Sequence, residues 1–400
     1  MRELAAYLFL ASLLCASVTT PIAIRLGRRF GILDLPGVRK VHVDPIPLTG
    51  GWALFLTITV MVWGHLICAL CIRGSRLDFY LSERLQEFVA VAPKLILKVS
   101  PVYVGALGMF MLGLIDDIKG MSVKARLLVQ IGIASFLVGM GFHPNLGLLP
   151  TPLSCLIGVI WIVGITNAFN FLDGLDGLSA GIALVGTFAL LTIMGITFQP
   201  DIVFLLSALA GTLLGFLRFN YHPAKVFLGS SGSLFIGYLM GIGTLQVTYM
   251  KGPSDNWLIA LLTPVFVLAV PLYDTTSVVL IRLLQKRSIA IGDQSHFHHR
   301  LMRLGFSHRQ TVAFIIMIAF SVALSAVRLV NATLFQSLIT LVQIVSILSI
   351  LIVAEQVAAR VKSNWINLRR RSEDQAFQHQ LTSSPADEKP TLRTPSDQPR

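Results

Sequence analysis

The chain has 400 residues, of which 54% are hydrophobic and only 13% are charged, and its mean hydropathy is +0.74. Soluble domains carry about 25% charged residues, so this composition excludes a soluble globular enzyme, a disordered protein and a fibre. The class that remains is an all-α polytopic membrane protein. The 32 lysines and arginines exceed the 20 acidic residues. In a membrane protein this excess indicates loop topology and an anionic substrate rather than nucleic acid.

Eleven apolar stretches are long enough, or nearly so, to cross a bilayer as helices. They lie at 4–25, 51–72, 101–118, 125–142, 153–170, 178–198, 202–219, 232–249, 257–276, 311–330 and 333–354. We therefore expect about eleven transmembrane helices, or ten if one stretch does not cross. Residues 1–360 form the predicted transmembrane domain, and the polar segment 361–400 is predicted to be a disordered cytoplasmic tail.

Basic residues are concentrated in the loops at 26–50, 119–126 and 277–310 and in the tail. With eleven spans these segments lie on one side, which the positive-inside rule assigns to the cytoplasm. Segment 73–100 conflicts with this rule, because it is basic but falls outside. Its partly apolar stretch 88–99 is expected to lie along the membrane surface.

Two groups of polar residues lie at the ends of predicted spans. Asp116 and Asp117 are adjacent, and two like charges need a cation, a basic side chain or water. Asn167, Asn170 and Asp173 recur every three residues, which places them near one face of a helix end. The Asp-Gly pairs at Asp173 and Asp176 indicate a tight turn that can approach a ligand closely. These oxygen ligands suit Mg²⁺ beside substrate phosphates, although solvated span ends would also explain the pattern.

Two further groups are basic. The first loop contains Arg39, Lys40 and His42, which can hold a phosphate. The loop before the tenth span contains Asp293, His296, His298, His299 and Arg300, and Asp274 precedes it in an apolar segment. The histidines could bind zinc or donate to a diphosphate, and the nearby carboxylates favour the diphosphate. A site at one membrane face that is both acidic and basic predicts metal-assisted phosphoryl transfer.

These motifs resemble those of the polyprenyl-phosphate N-acetylhexosamine-1-phosphate transferase family. The matching segments are DLPGVRKVHVDPIP-TGG at 34–51, GLIDD at 113–117, NAFNFLDGLDGLSAG at 167–181, RFNYHPAKVFLG at 218–229 and DQSHFHHRLMRLGFSHRQ at 293–310. The His-x-His-His form is similar to the branch that initiates O-antigen, enterobacterial common antigen or teichoic acid synthesis.

The resemblance implies that N-acetylhexosamine 1-phosphate, with GlcNAc as the expected sugar, passes from a UDP-N-acetylhexosamine to undecaprenyl phosphate with release of UMP. The implied location is the cytoplasmic face of the bacterial plasma or inner membrane. The implied cofactor is Mg²⁺, with Mn²⁺ as a substitute. The expected partners are the two substrates and the lipid bilayer, without nucleic acid, and a homodimer is compatible with the resemblance.

The motifs and the resemblance together predict the site residues. The catalytic residues are Asp116, Asp117, Asp173 and Asp176, of which the first two are implied to act on the lipid phosphate and the last two to bind the metal. The substrate-binding residues are Arg39, Lys40, His42, Asn167, Asn170, Lys225, Asp274, Asp293, His296, His298, His299 and Arg300.

Two positions depart from the family pattern. Ser230 stands where the family has an aspartate that serves the metal, and Leu48 stands where an arginine is usual. A serine hydroxyl is neutral and a poorer Mg²⁺ ligand, so metal affinity should fall. A catalytically weak relative that binds lipid phosphate or nucleotide sugar is therefore the alternative function. A transporter is a third, and it is disfavoured because no internal repeat is found and the charges lie at one membrane face.

Overall fold

The computed structural model describes residues 2–36, 44–144, 150–197, 199–247, 249, 257–286, 296–330, 332–354, 356–357 and 360. The helices are α1 Arg2–Phe30, α2 Gly50–Ile72, α3 Arg76–Phe79, α4 Glu83–Lys119, α5 Val123–Gly139, α6 Thr151–Leu172, α7 Leu178–Thr197, α8 Pro200–Asn220, α9 Gly229–Gln246, α10 Trp257–Val267, α11 Ala269–Leu284, α12 Phe297–Arg303, α13 His308–Leu329 and α14 Leu334–Ala354. Two short antiparallel strands, β1 Leu33–Asp34 and β2 Ile46–Pro47, pair Leu33 with Pro47. The chain is a multi-pass, all-α membrane protein, as its composition predicts.

Each of the eleven predicted spans lies largely in helix. Eight helices in the described part of the chain are long and apolar enough to cross a membrane. Helix α5 has 17 residues and α9 has 18, and neither is among these eight. The predicted span 257–276 consists of α10 and the start of α11, which meet at a bend of 83° and could together form a ninth. The total of eleven spans therefore stays a prediction.

The stretch 88–99 is not a separate surface segment. It belongs to α4, whose 37 residues rise about 55 Å at 1.5 Å per residue and continue into the span predicted at 101–118. Phe88 stacks on Phe204 of α8 with ring centroids 5.5 Å apart, and Val89 and Ala92 are buried. This stretch packs against other helices because its apolar residues recur with the helical period.

Helix α9 lies at the centre of the bundle and packs against α4, α6 and α2. All of its residues from Ser231 to Thr244 are buried. Its sequence contains several glycines, and small residues let helix backbones approach closely in membranes. A Cβ atom at Gly237 would lie 2.8 Å from the Thr166 Cα atom, and one at Gly232 would lie 3.1 Å from the Gly51 Cα atom. These close approaches hold α9 against α2 and α6.

The chain divides into a compact unit Met1–Ser346 and a second unit Ile347–Arg400. The predicted boundary at residue 360 and the predicted disorder of 361–400 concern residues beyond those the structure describes.

Gly113 of α4 provides a test of this packing. A Cβ atom there would overlap the backbone of Ser230 and Ser231 at the start of α9. We expect Gly113→Ala to destabilise the protein by about 1–3 kcal/mol, because neither backbone can move without disturbing the bundle. The measurement is the thermal unfolding midpoint of the detergent-solubilised protein. Gly132→Ala in α5, where a Cβ meets no atom within 4 Å, is the control and should be neutral or slightly stabilising. Equal midpoints for the two variants would contradict the close approach.

Candidate active site

A cavity of about 1090 Å³ lies at the end of the bundle where α4 and α6 end and where α9 and α13 begin. Both acidic and basic side chains line it. The acidic ones are Asp34, Asp44, Asp117, Asp173 and Asp176, and the basic ones are Arg28, His222, Lys225, His299, Arg303 and His308. A wall of this mixed charge suits a phosphate-bearing ligand together with a divalent cation.

Asp117 connects the end of α4 to the beginning of α9. Its two carboxylate oxygens accept hydrogen bonds from the backbone N–H groups of Ser230, at 2.7 Å, and Ser231, at 3.0 Å. The N-terminus of a helix attracts negative charge because its first N–H groups are unpaired and its dipole is positive there. Gly229 allows this approach: its φ is +67°, and a Cβ would lie 2.7 Å from the Asp117 Oδ2 atom. The Asp117 carboxylate is therefore held in one orientation at the cavity.

Asp116 has a different environment from its neighbour. Its carboxylate forms an ion pair with Arg126 of α5 at 2.9 Å and accepts a hydrogen bond from the Met121 N–H group. Asp116 does not belong to the described lining of the cavity. The two adjacent carboxylates thus point to different partners, and of the two only Asp117 lines the cavity.

Asp173 follows the last residue of α6 and lines the cavity. Within the described residues its carboxylate has no hydrogen-bond or ion-pair partner. Burial among protein atoms raises the pKa of Asp173 well above its usual value, and the negative charges of Asp117 and Asp176 raise it further. A buried, uncompensated carboxylate next to a second one requires a cation or a proton.

The residues around Asp173 fit Mg²⁺. Asn170 lines the cavity, and its buried amide nitrogen has no hydrogen-bond partner in the described part of the chain. Ser230 adds a hydroxyl to the same wall. Two carboxylates, an amide and a hydroxyl form an all-oxygen donor set, which is the set that Mg²⁺ prefers.

Asp176 lies at a junction of three chain segments. Its Oδ2 atom lies 2.7 Å from the His222 Nδ1 atom and accepts a hydrogen bond from the Ala224 N–H group. Its own N–H group donates to the His308 Nε2 atom at 3.1 Å. One ligand atom from each of Asp176, His222 and His308 lies within 4.8 Å of the others, so this group could also hold a metal ion.

The histidine segment is attached to the bundle through Asp274. This carboxylate is fully buried, and it accepts hydrogen bonds from the Phe297 N–H group at 2.6 Å and from His296 Nδ1 at 2.8 Å. The bonds fix the beginning of α12, since Phe297 is its first residue. Neither Asp274 nor His296 belongs to the described lining, so both lie behind the cavity wall.

His298 is also behind the wall, and it is 1% exposed. Neither ring nitrogen has a hydrogen-bond partner among the described residues. The ring packs on Gly174, where a Cβ would overlap the Nε2 atom. Burial lowers the pKa of His298 to about 3, with His299 as the next contributor. The imidazole is therefore neutral at physiological pH.

Of three more predicted residues, Asn167 and Arg300 bond to other protein groups, and His299 lines the cavity. Asn167 donates hydrogen bonds to Gln130 of α5 and to the Val163 carbonyl oxygen, and Arg300 donates to Ser277. Neither lines the cavity, whereas His299 does. The predicted residues Arg39, Lys40, His42 and Asp293 lie outside the described residues.

Six charged or titratable lining residues were absent from the predicted site residues: Arg28, Asp34, Asp44, His222, Arg303 and His308. His222 and His308 do occur within two of the quoted motifs. The motifs alone could have suggested these two histidines. They could not have shown that both contact Asp176, because Asp176 precedes them by 46 and 132 residues.

Comparison with known proteins gives a consistent result. A family model described as glycosyl transferase family 4 matches residues 99–248. The protein named "Probable undecaprenyl-phosphate N-acetylglucosaminyl 1-phosphate transferase" of Bacillus subtilis (strain 168) is 35% identical over 366 residues, covering 88% of this chain and 90% of that protein.

Two further relatives are more distant. The "Decaprenyl-phosphate N-acetylglucosaminephosphotransferase" of Mycolicibacterium smegmatis is 33% identical over 344 residues, which cover 79% of each chain. The "Undecaprenyl-phosphate alpha-N-acetylglucosaminyl 1-phosphate transferase" of Escherichia coli (strain K12) is 27% identical over 308 residues, covering 74% of this chain and 76% of that protein.

The low pKa of His298 predicts a pH dependence of stability. Below about pH 6.5 the unfolded chain binds a proton at this histidine while the folded protein does not, until the pH approaches 3. Folding stability should therefore fall as the pH decreases, by about 1.4 kcal/mol per pH unit from this group. We expect the unfolding midpoint to drop less between pH 6.5 and pH 5 in His298→Gln than in wild type. His65→Gln, in α2 beside Tyr7, should keep the wild-type slope. Parallel slopes for all three proteins would show that His298 is not buried in its neutral form.

Proposed function

Because the chain belongs to the polyprenyl-phosphate N-acetylhexosamine-1-phosphate transferases of glycosyl transferase family 4, we propose that it transfers N-acetylglucosamine 1-phosphate from UDP-GlcNAc to undecaprenyl phosphate and releases UMP. An oxygen of the lipid phosphate becomes bonded to the phosphorus that carries the sugar, and the bond from that phosphorus to UMP breaks. The product is a sugar linked through a diphosphate to the lipid. Neither a catalytically weak relative nor a transporter is favoured by any of the named relatives.

One observation carries the proposal: Asp117 and Asp173 face one cavity without an ion-pair partner among the described residues, while cationic side chains line the same cavity. The carboxylates need a cation, and cationic groups such as Arg28 and Lys225 attract an anion. A UDP-sugar with Mg²⁺ meets both requirements in one ligand.

We assign the Mg²⁺ ligands to Asp117 and Asp173, with oxygens of Asn170 and Ser230 completing the set. This replaces the pair Asp173 and Asp176 that the motifs suggested, because the Asp176 carboxylate already accepts hydrogen bonds from His222 and Ala224. When bound, the cation would neutralise phosphate charge during the displacement.

The other residues hold and orient the substrates. The backbone N–H groups of Ser230 and Ser231 hold the Asp117 carboxylate in place, so its negative charge remains at the cavity. Arg28, Lys225 and His299 can donate to phosphate oxygens. Asp274 holds the beginning of α12, from which His299 reaches the wall.

The proposed site lies at the cytoplasmic face of the bacterial plasma membrane. Support comes from the basic loops, since Lys and Arg near span ends are enriched on that side. The cavity lies at the helix ends from which the basic loops 26–50 and 119–126 extend.

The proposed reaction can be tested directly with the purified full-length protein. We expect UMP release from UDP-GlcNAc when undecaprenyl phosphate and Mg²⁺ are present, because the cation is needed to neutralise the phosphates beside Asp117 and Asp173. UDP-GalNAc in parallel reports the sugar preference, and EDTA should abolish the reaction. Absence of UMP and of lipid product with Mg²⁺ or Mn²⁺, whichever sugar is supplied, would refute the proposal.

Ser230 gives a second test. A carboxylate at this position would add negative charge next to Asp117, so Ser230→Asp should lower the dissociation constant for the cation by about tenfold or more. Direct titration with Mn²⁺, followed by the loss of its free-ion electron paramagnetic resonance signal, measures this without turnover. Asp173→Asn removes a negative charge from the proposed site and should raise the dissociation constant for Mn²⁺.

A matched control is Ser75→Asp. Ser75 caps α3 beyond the far end of α2, and aspartate is an equally good N-cap, so only a distant charge is added. Its Mn²⁺ affinity should equal that of wild type. If Ser230→Asp also equals wild type, position 230 is not at the cation site.

A further inference from the structure

The loop between α8 and α9 carries a histidine that the proposed transfer does not yet use. His222 lines the cavity, and its side chain is 31% exposed. The Asp176 carboxylate can only accept, so the His222 Nδ1 atom carries the hydrogen in their 2.7 Å contact. The Nε2 atom has no partner in the described part of the chain and is not enclosed by protein. His222 therefore offers Nε2 to a ligand in the cavity.

His308 supports this orientation from a second side. The two imidazole rings stack with centroids 4.2 Å apart and an interplanar angle of 22°. The His308 Nε2 atom accepts the N–H group of Asp176. The position of the His222 ring is thus set by a hydrogen bond in its plane and by a ring against its face.

Lys225 lies on the same loop, three residues after His222, and also lines the cavity. Its backbone N–H group bonds to the Phe219 carbonyl oxygen, which fixes the loop. Its ammonium group has no ion pair or hydrogen bond to any described residue. Two nitrogen groups without partners on one short loop, both facing one cavity, indicate an anionic ligand.

We propose that His222 and Lys225 form a subsite for a phosphate monoester, with Asp176 and His308 as the residues that position His222. Both ring nitrogens of an imidazole can carry a hydrogen, so Nδ1 can donate to Asp176 while Nε2 donates to a phosphate oxygen. The inference rests on the proposed function, which supplies two such phosphates: that of UMP and that of the lipid acceptor.

A metal ion between Asp176, His222 and His308 is the competing use of these residues. Two imidazoles and a carboxylate would suit Zn²⁺ or Co²⁺. However, the Nδ1 atom of His222 and the Nε2 atom of His308 already make hydrogen bonds, and a metal bound through these two atoms would have to displace both. The hydrogen-bonded arrangement therefore favours the phosphate.

The experiment compares UMP with uridine, which lacks the phosphate. Binding of each to the full-length protein in detergent with EDTA is measured by isothermal titration calorimetry. His222→Phe should weaken UMP binding by about tenfold or more and leave uridine binding unchanged. His222→Gln keeps a donor near the Nε2 position and should retain most of the affinity. Asp176→Asn should weaken UMP binding by a smaller factor, again without an effect on uridine.

The lipid phosphate is tested in a second arm. If the subsite takes the acceptor, His222→Phe raises the KM for undecaprenyl phosphate while UMP affinity stays unchanged. Either result supports the subsite and shows whether it binds the phosphate of UMP or that of the lipid. His222→Asn replaces His222→Phe if the larger side chain prevents folding, as judged by gel filtration.

His65→Phe is the control, because His65 bonds to Tyr7 far from the cavity, and it should behave as wild type in both arms. The proposal is overturned if no His222 variant changes either the UMP affinity or the KM for the lipid. It is also overturned if Co²⁺ gives a visible absorption spectrum that disappears in both His222→Asn and His308→Gln. Failure of wild type to release UMP would instead refute the proposed transferase, since the comparison of UMP with uridine requires no turnover.

Discussion

The bond between the Asp117 carboxylate and the first N–H groups of α9 is the contact on which the site depends. It joins the end of one long helix to the beginning of the helix at the centre of the bundle. The glycines at 113 and 229 make it sterically available, because any side chain at either position would occupy the space of the contact. Packing in the membrane interior and geometry in the cavity are therefore set by the same few residues. A change that separates α4 from α9 must also turn the Asp117 carboxylate.

Five aspartates of the predicted site have different surroundings, and the differences separate their roles. Asp116 has Arg126, Asp176 has His222, and Asp274 has His296 together with a backbone N–H group. Asp117 has backbone N–H groups, which stabilise its charge without neutralising it. Asp173 has no partner among the described residues. Compensation by fixed protein groups is expected of a carboxylate that supports structure, and its absence at Asp173 supports the proposed cation site.

The helices could be predicted from the sequence, since long apolar stretches are a local signal, and so could the family, since its polar motifs are dense and contiguous. The bend between α10 and α11 could not, because the apolar pattern runs through it. The motifs predicted Asp116, Asp117 and Asp173 together, but they could not show that Asp116 turns toward Arg126 while the other two line the cavity. Nor could they show that Asp274 lies behind the wall, because its partners begin 22 residues later. Contacts across long chain separations depend on how the helices pack, and the helical period does not encode that.

Ser230 takes on a different meaning once these charges are assigned. The family pattern would place a third carboxylate beside Asp117 and Asp173, and the total charge of that set would be more negative than a divalent cation can balance. With serine the two remaining carboxylates match the charge of one Mg²⁺, and the hydroxyl still offers an oxygen. The start of α9 stabilises part of the Asp117 charge in addition. In the proposed site, serine therefore weakens the attraction for the free cation but leaves a negative charge that one divalent cation can neutralise completely.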